Sequence, residues 1–151
     1  MIIDVVPPDR IGPITLGMTI DDAEAAFRTL EGFQGAEESR VPVRGQANYD
    51  SGMSIHAHVG SGGLVNAIEV FRPHRTVSLR LYDIDVFGLP ADDVVERLRQ
   101  YVETEEEEGG CMIVAPSLLI ALWRPFVASD ESDEQGFFMQ SLTLARPGYY
   151  D

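Results

Sequence analysis

The stretch Leu16-Gly17-Met18-Thr19-Ile20-Asp21-Asp22-Ala23-Glu24-Ala25-Ala26-Phe27-Arg28-Thr29-Leu30 reads as a strand end, a glycine turn, a helix cap and an amphipathic helix. Thr19 stands where a cap belongs, and the Asp22 carboxylate three residues on makes a short-armed capping box. Asp21, Asp22 and Glu24 place negative charge on the positive end of the helix dipole. Ile20, Ala23, Phe27 and Leu30, with Ala26 beside them, fall on one apolar stripe. Gly32 and Gly35 end the helix. The pattern returns 71 residues later as Phe87-Gly88-Leu89-Pro90-Ala91-Asp92-Asp93-Val94-Val95-Glu96-Arg97-Leu98-Arg99-Gln100-Tyr101. There Pro90 replaces Thr19, and Val94, Leu98 and Tyr101 match Ala23, Phe27 and Leu30.

The chain around these two copies reads mainly as strands. Ile2 to Val6 and Ile14 to Leu16 are short strands, the first stopped by Pro7-Pro8. Arg40 to Val43 and Ala47 to Tyr49 are further candidates. Met53-Ser54-Ile55-His56-Ala57-His58-Val59 alternates as a half-buried strand does. Gly60 to Gly63 joins it to Leu64–Phe71 in a hairpin. Val77 to Val86 reads as one strand. After the second helix, the acidic run Glu103 to Glu108 reads as a solvated loop. Cys111 to Ala115, Leu118 to Arg124 and Phe137 to Ala145 read as strands, with Pro125 to Gln135 as a loop. A second correspondence runs at a spacing of 74: Leu64, Asn66, Ile68, Val70, Arg72 and Pro73 match Phe138, Gln140, Leu142, Leu144, Arg146 and Pro147. The expectation is an α+β fold of two layers. Two tandem strand-helix-meander repeats, about 1–75 and 76–151, share one domain and form an antiparallel sheet with two helices on one face. A lone unit of about 70 residues would be marginal, which favours a joint core.

The Leu-Gly-Met-Thr turn at Leu16 to Thr19, opening a short helix on an antiparallel sheet, resembles the beta-lactamase-inhibitor-protein family. It is similar also to the small outer-membrane assembly lipoproteins. The inhibitors carry two tandem helix-plus-sheet units, so the resemblance implies that architecture and a protein-binding role. The inhibitors are exported and disulfide-bonded, whereas this chain has one cysteine and no leader-like start. The resemblance therefore implies the plan of the fold and supplies no catalytic residues. The endings Ala121 to Pro125 and Arg146 to Asp151 are similar to bacterial cytoplasmic proteins without an assigned activity.

Composition narrows the function classes. The 151 residues carry a formal charge of −14, with 11 arginines and no lysine. Such a chain repels phosphate backbones and anionic lipid, which argues against nucleic acid and membranes and for a basic partner, if any. The single cysteine, Cys111, allows no internal disulfide and fits a reducing, cytoplasmic setting. It reads as buried and inert. No motif for a phosphate loop, a nucleophile elbow or a zinc protease occurs. No cofactor is implied.

Three groups remain as candidate sites. His56 and His58 point to one face of their strand and could share a metal, with His74, Glu69 or Asp50 as further ligands. The plainer reading is that they line a solvated sheet face. Trp123 and Arg124 are residue types that anchor protein interfaces, although a core Trp followed by a turn Arg explains them as well. Arg72 and Arg146, equivalent in the repeat, could bind an anion between the halves or pair with nearby carboxylates. The leading expectation is a non-enzymatic protein-binding module, of inhibitor or immunity type, for a basic protein. The alternatives are a metal-binding or hydrolytic protein using His56 and His58, and a small-ligand-binding protein.

Overall fold

The computed structural model describes residues 1–34, 44–74 and 77–147. In chain order the elements are β1 (Ile2–Val6), β2 (Arg10–Ile11), β3 (Ile14–Thr15), α1 (Ile20–Phe27), β4 (Phe33–Gln34), β5 (Gln46–Tyr49), β6 (Ser54–Val59), β7 (Val65–Phe71), β8 (Ser78–Leu81), β9 (Ile84–Asp85), α2 (Ala91–Leu98), β10 (Glu105–Glu107), β11 (Met112–Ala115), β12 (Ile120–Trp123), α3 (Glu134–Phe137) and β13 (Ser141–Ala145). The class is α+β, as expected. The possible strand at Arg40 to Val43 lies outside the described residues.

Eight strands form one antiparallel sheet in the order β10-β11-β12-β13-β7-β6-β5-β4. Its centre is the pair β7 and β13, in which Glu69 stands opposite Thr143, with Ile68 opposite Leu144 and Val70 opposite Leu142. Each half of the chain thus supplies four neighbouring strands, and the two residues at the middle of the seam are 74 apart in sequence. The single sheet expected from the sequence is not the whole of it. A second sheet, β3-β2-β1-β8-β9, stands apart, and its β1 and β8 are parallel. Two short hairpins, β2–β3 and β8–β9, flank β1, which has no counterpart in the second half. The prolines after Val6 turn the chain straight into the first hairpin, so β1 pairs with its neighbours there.

One cluster of buried residues holds the layers together. Ile55, Ile68, Val70, Leu122, Leu142 and Leu144 come from the inner face of the large sheet. Ile3, Ile11, Leu79 and Ile84 come from the small sheet, Ala23 and Phe27 from α1, and Val94 and Leu98 from α2. Both helices therefore lie on the inner side, as the amphipathic stripes predicted.

The helix ends differ from the sequence reading. Thr19 caps α1 by accepting from the Asp22 amide at 3.2 Å. The helix stops at Phe27, before Leu30: the Thr29 and Leu30 amides make tighter bonds back to the Ala26 and Phe27 carbonyls, at 3.1 and 3.4 Å, and side-chain hydroxyls share the same two carbonyls. The Thr29 hydroxyl donates to the Ala26 carbonyl at 2.7 Å, and the Tyr49 hydroxyl to that of Phe27, also at 2.7 Å. Such bonds compete with the next helical turn. In the second copy Tyr101 is past the end of α2 and exposed. It stacks on Tyr82 at 4.3 Å and donates to Asp83, and so does not play the part of Leu30. Tyr82 itself has φ 57 and makes the β8–β9 turn inside what reads as one continuous strand.

Burial pushes the Tyr49 hydroxyl above the ordinary phenol range. A raised folded pKa contributes stability that is full below the unfolded value, about 10, and is lost as pH rises from there towards the folded value. Tyr49→Phe should therefore unfold more easily by about 1 kcal/mol at neutral pH, through the lost hydrogen bond. Between about pH 10 and 11.5 it should lose less stability than the parent chain. Urea unfolding at both ends of that range checks both signs.

Candidate functional site

Alternation along the strands sends one set of side chains into the core and the other to the outer face of the eight-stranded sheet. The register lines these outer residues up in rows. One row runs Gln46, His56, Glu69, Thr143, Ala121, Val114 and Glu105. The next runs Asn48, Ser54, Phe71, Ser141, Trp123, Met112 and Glu107. The buried alanines of this face, Ala67, Ala121 and Ala145, are not part of the core cluster. Phe71, Met112 and Val114 are half-buried, and Trp123 keeps 36% of its surface exposed.

The first half of this face is polar. His56 and His58 point the same way, and the register adds Glu69 directly opposite His56. One donor atom from each of the three residues lies within 4.8 Å of the others. His58 Nε2 is 3.8 Å from Glu69 Oε1, and the Thr143 hydroxyl donates to Glu69 Oε2 at 3.4 Å. The His56 ring lies 4.8 Å from that of Phe71. Burial pulls the His56 pKa below its ordinary value, Glu69 opposes this, and His58 adds to it. Of the further ligands suggested by the sequence, only Glu69 joins. His74 is exposed against Gly52, and Asp50 is exposed in a turn beside Gly32.

The second half of the face is apolar. Trp123, Met112, Val114 and Ala121 lie beside β10, an edge strand made of three exposed glutamates. The acidic run therefore does not form the loop that its charge suggests. Charge on an edge strand is a common way to discourage pairing with another chain. A cavity of about 360 Å³ opens here, lined by Glu107, Met112, Val114, Leu119, Ala121 and Ala145 among others. A larger cavity, about 760 Å³, lies elsewhere, between Arg99–Glu105 and Pro116–Ser117, and brings together none of the candidate residues.

Trp123 and Arg124 part company. Trp123 is on the outer face, whereas the Arg124 side chain is only 4% exposed. Its guanidinium donates to the carbonyls of Gly110 at 3.2 Å and Gly136 at 3.0 Å, and to Asp92 at 3.1 Å. It ties the β10–β11 connection, α3 and the start of α2 together, and its donors are committed inside the protein. Cys111 is half-buried, its thiol 3.8 Å from the Pro125 carbonyl.

Arg72 and Arg146 do not converge on a shared anion. Because β7 and β13 are antiparallel, Arg72 bonds through its backbone to Gln140 and Arg146 to Asn66. That puts the two at opposite ends of the seam, about 20 Å apart along the strands. Arg72 lies 4.3 Å over the Phe138 ring, donates to the Phe87 carbonyl and approaches Glu134 at 3.9 Å. Arg146 packs on Gly17, where a Cβ would come within 2.5 Å of its Nη2.

Among the described residues no helix is long and apolar enough to cross a membrane. Compared with protein-family models, curated proteins and solved structures, the chain matches none.

Removing Arg124 separates its structural role from an interface role. Arg124→Met would remove the charged donor from the Gly110 and Gly136 carbonyls, of which Gly136 keeps the Ala128 amide, and should cost about 1.5–3 kcal/mol. Asp92, 79% exposed, is the screened partner, so Asp92→Asn should cost less than about 1 kcal/mol. Denaturant titration of the two variants gives the comparison; equal, small losses would remove Arg124 from this role.

Proposed function

We propose that the chain is a protein-binding module, of inhibitor or immunity type, that engages a basic protein through the apolar half of its outer sheet face. The reading rests on one observation: the row Glu107, Met112, Trp123 sets an exposed aromatic and a flexible thioether directly beside a carboxylate edge. Aromatic residues anchor interfaces, and methionine adapts to the shape of what it meets. Glu105 and Glu107 along one border suit lysines or arginines that flank an apolar residue of the partner. The net charge of −14 would speed encounter with such a partner and disfavours a second copy of this chain. The resemblance of Leu16 to Thr19 to the inhibitor family points the same way, and the single cysteine suits a cytoplasmic target. On this reading the two halves of the chain descend from one duplicated unit, and the second half has become the docking half.

The test is comparative capture from cells of the native host, followed by affinity measurement on the purified partner. The parent chain should retain a basic protein that Trp123→Ala binds at least about 30-fold more weakly, as a hot-spot residue would. The pair Glu105→Gln and Glu107→Gln should weaken binding and flatten its salt dependence. A partner bound equally well by Trp123→Ala, or self-association as the only interaction, would end this reading.

A further inference from the structure

We propose that His56, His58 and Glu69 form a site for a divalent transition metal, zinc or an ion of similar chemistry, on the polar half of the outer sheet face. The inference is independent of the docking half, which shares none of these residues.

The arrangement follows from two adjacent strands. Residues two apart on β6 share a face, so His56 and His58 stand side by side. The β6–β7 register sets Glu69 opposite His56, and Ala67 opposite His58. The small Ala67 side chain leaves His58 room to lean towards the carboxylate. Three donor atoms within 4.8 Å of one another are already close to a common centre. Around a zinc ion, ligands at about 2.0–2.2 Å bring donor atoms to about 3.4 Å from one another. Side-chain rotation of about 1 Å closes that gap without moving the backbone.

The donor set and its surroundings fit the ion. Two imidazoles and one carboxylate are a recurrent set for zinc, with a fourth position left for water or an incoming ligand. Each donor has a support. The Thr143 hydroxyl holds Glu69 Oε2, which leaves Oε1 turned towards His58. Phe71 packs on the His56 ring. Partners of this kind orient ligands and tune affinity.

The test uses the full untagged chain, freed of metal by chelation, titrated calorimetrically with Zn²⁺ and optically with Co²⁺. One equivalent should bind, and Co²⁺ should give the visible absorption of imidazole–carboxylate coordination. His58→Ala and Glu69→Gln should each weaken binding at least 10-fold, and the double variant His56→Ala/His58→Ala should abolish it. Thr143→Val, which removes only a positioning contact, should weaken it less than Glu69→Gln does. His74→Ala should bind as the parent chain does, because His74 lies outside the cluster. Metal-free unfolding curves of the variants, expected to match the parent, separate loss of a ligand from loss of fold. Should any variant fail to fold, the Co²⁺ spectrum of the parent chain still decides whether histidine coordinates. Absence of binding, persistence in the double variant, or loss in His74→Ala would overturn the site.

Discussion

The antiparallel pairing of β7 with β13 is the constraint on which the rest of the molecule depends. It joins the two four-strand halves into one sheet and sets Glu69 opposite Thr143 at its middle. Ile68, Val70, Leu142 and Leu144 are fully buried on the inner side of this pair. A slip of one residue would turn one of the two strands over, sending either Ile68 and Val70 or Leu142 and Leu144 outwards and carrying Glu69 or Thr143 into the core. The hydrophobic effect therefore fixes the register strongly, and the register in turn fixes which side chains meet on the outer face. Everything chemical on that face is a consequence of apolar burial on the other.

The ends of the same pair reach the helix-entry corners. Arg72 leaves β7 and donates to the Phe87 carbonyl, in the second copy of the opening motif. Arg146 leaves β13 and packs on Gly17, in the first copy. Gly17 has φ +93, and a side chain there would collide with the guanidinium as well as strain the backbone. Each half thus ends on the corner of the other, so α1 and α2 are positioned by contacts that cross between the halves. This explains why the two arginines are exchanged across the seam and cannot face one another around an anion.

How much of this could be read in the sequence depended on whether the deciding term was local. Thr19, the apolar stripes and the alternation around His56 are local, and they gave the cap, the helices and the strand face. The parallel pairing of β1 with β8 joins segments more than seventy residues apart, and no local pattern announces it. The Tyr82 turn puts a tyrosine at a positive φ, where glycine or asparagine is the usual mark. The three glutamates of β10 have low strand propensity and form a strand only because β11 offers them a ladder. At the candidate sites, the shared face of His56 and His58 was legible from the two-residue spacing. The choice of Glu69 over His74 and Asp50 was not, because it depends on the β6–β7 register. The neighbours Trp123 and Arg124 were read as a group, but Trp123 stays at the outer face, whereas Arg124, just past the end of β12, turns inwards to the Gly110 and Gly136 carbonyls. An arginine at a strand end finds its place only once those carbonyls exist to receive it.

The register also shows how one scaffold can carry two unlike surfaces. His56 and His58 stand opposite Glu69 and Ala67, as Ala121 and Trp123 stand opposite Thr143 and Ser141. The same two places in each half thus carry imidazoles on one side of the seam and apolar groups on the other. Three strand spacings separate β6 from β12, about 14 Å. That exceeds the Debye length of about 8 Å at physiological ionic strength, so charge on the histidine side is largely screened at the tryptophan. Mixing the two chemistries within one patch would bring desolvated carboxylate and imidazole under an apolar contact, at a high cost in free energy. Keeping them on opposite sides of the Glu69–Thr143 seam avoids that conflict. The inner faces of both halves meanwhile keep the same apolar pattern, because both must cover the same core. On the large sheet, the difference between the halves therefore lies on the face that the core does not use.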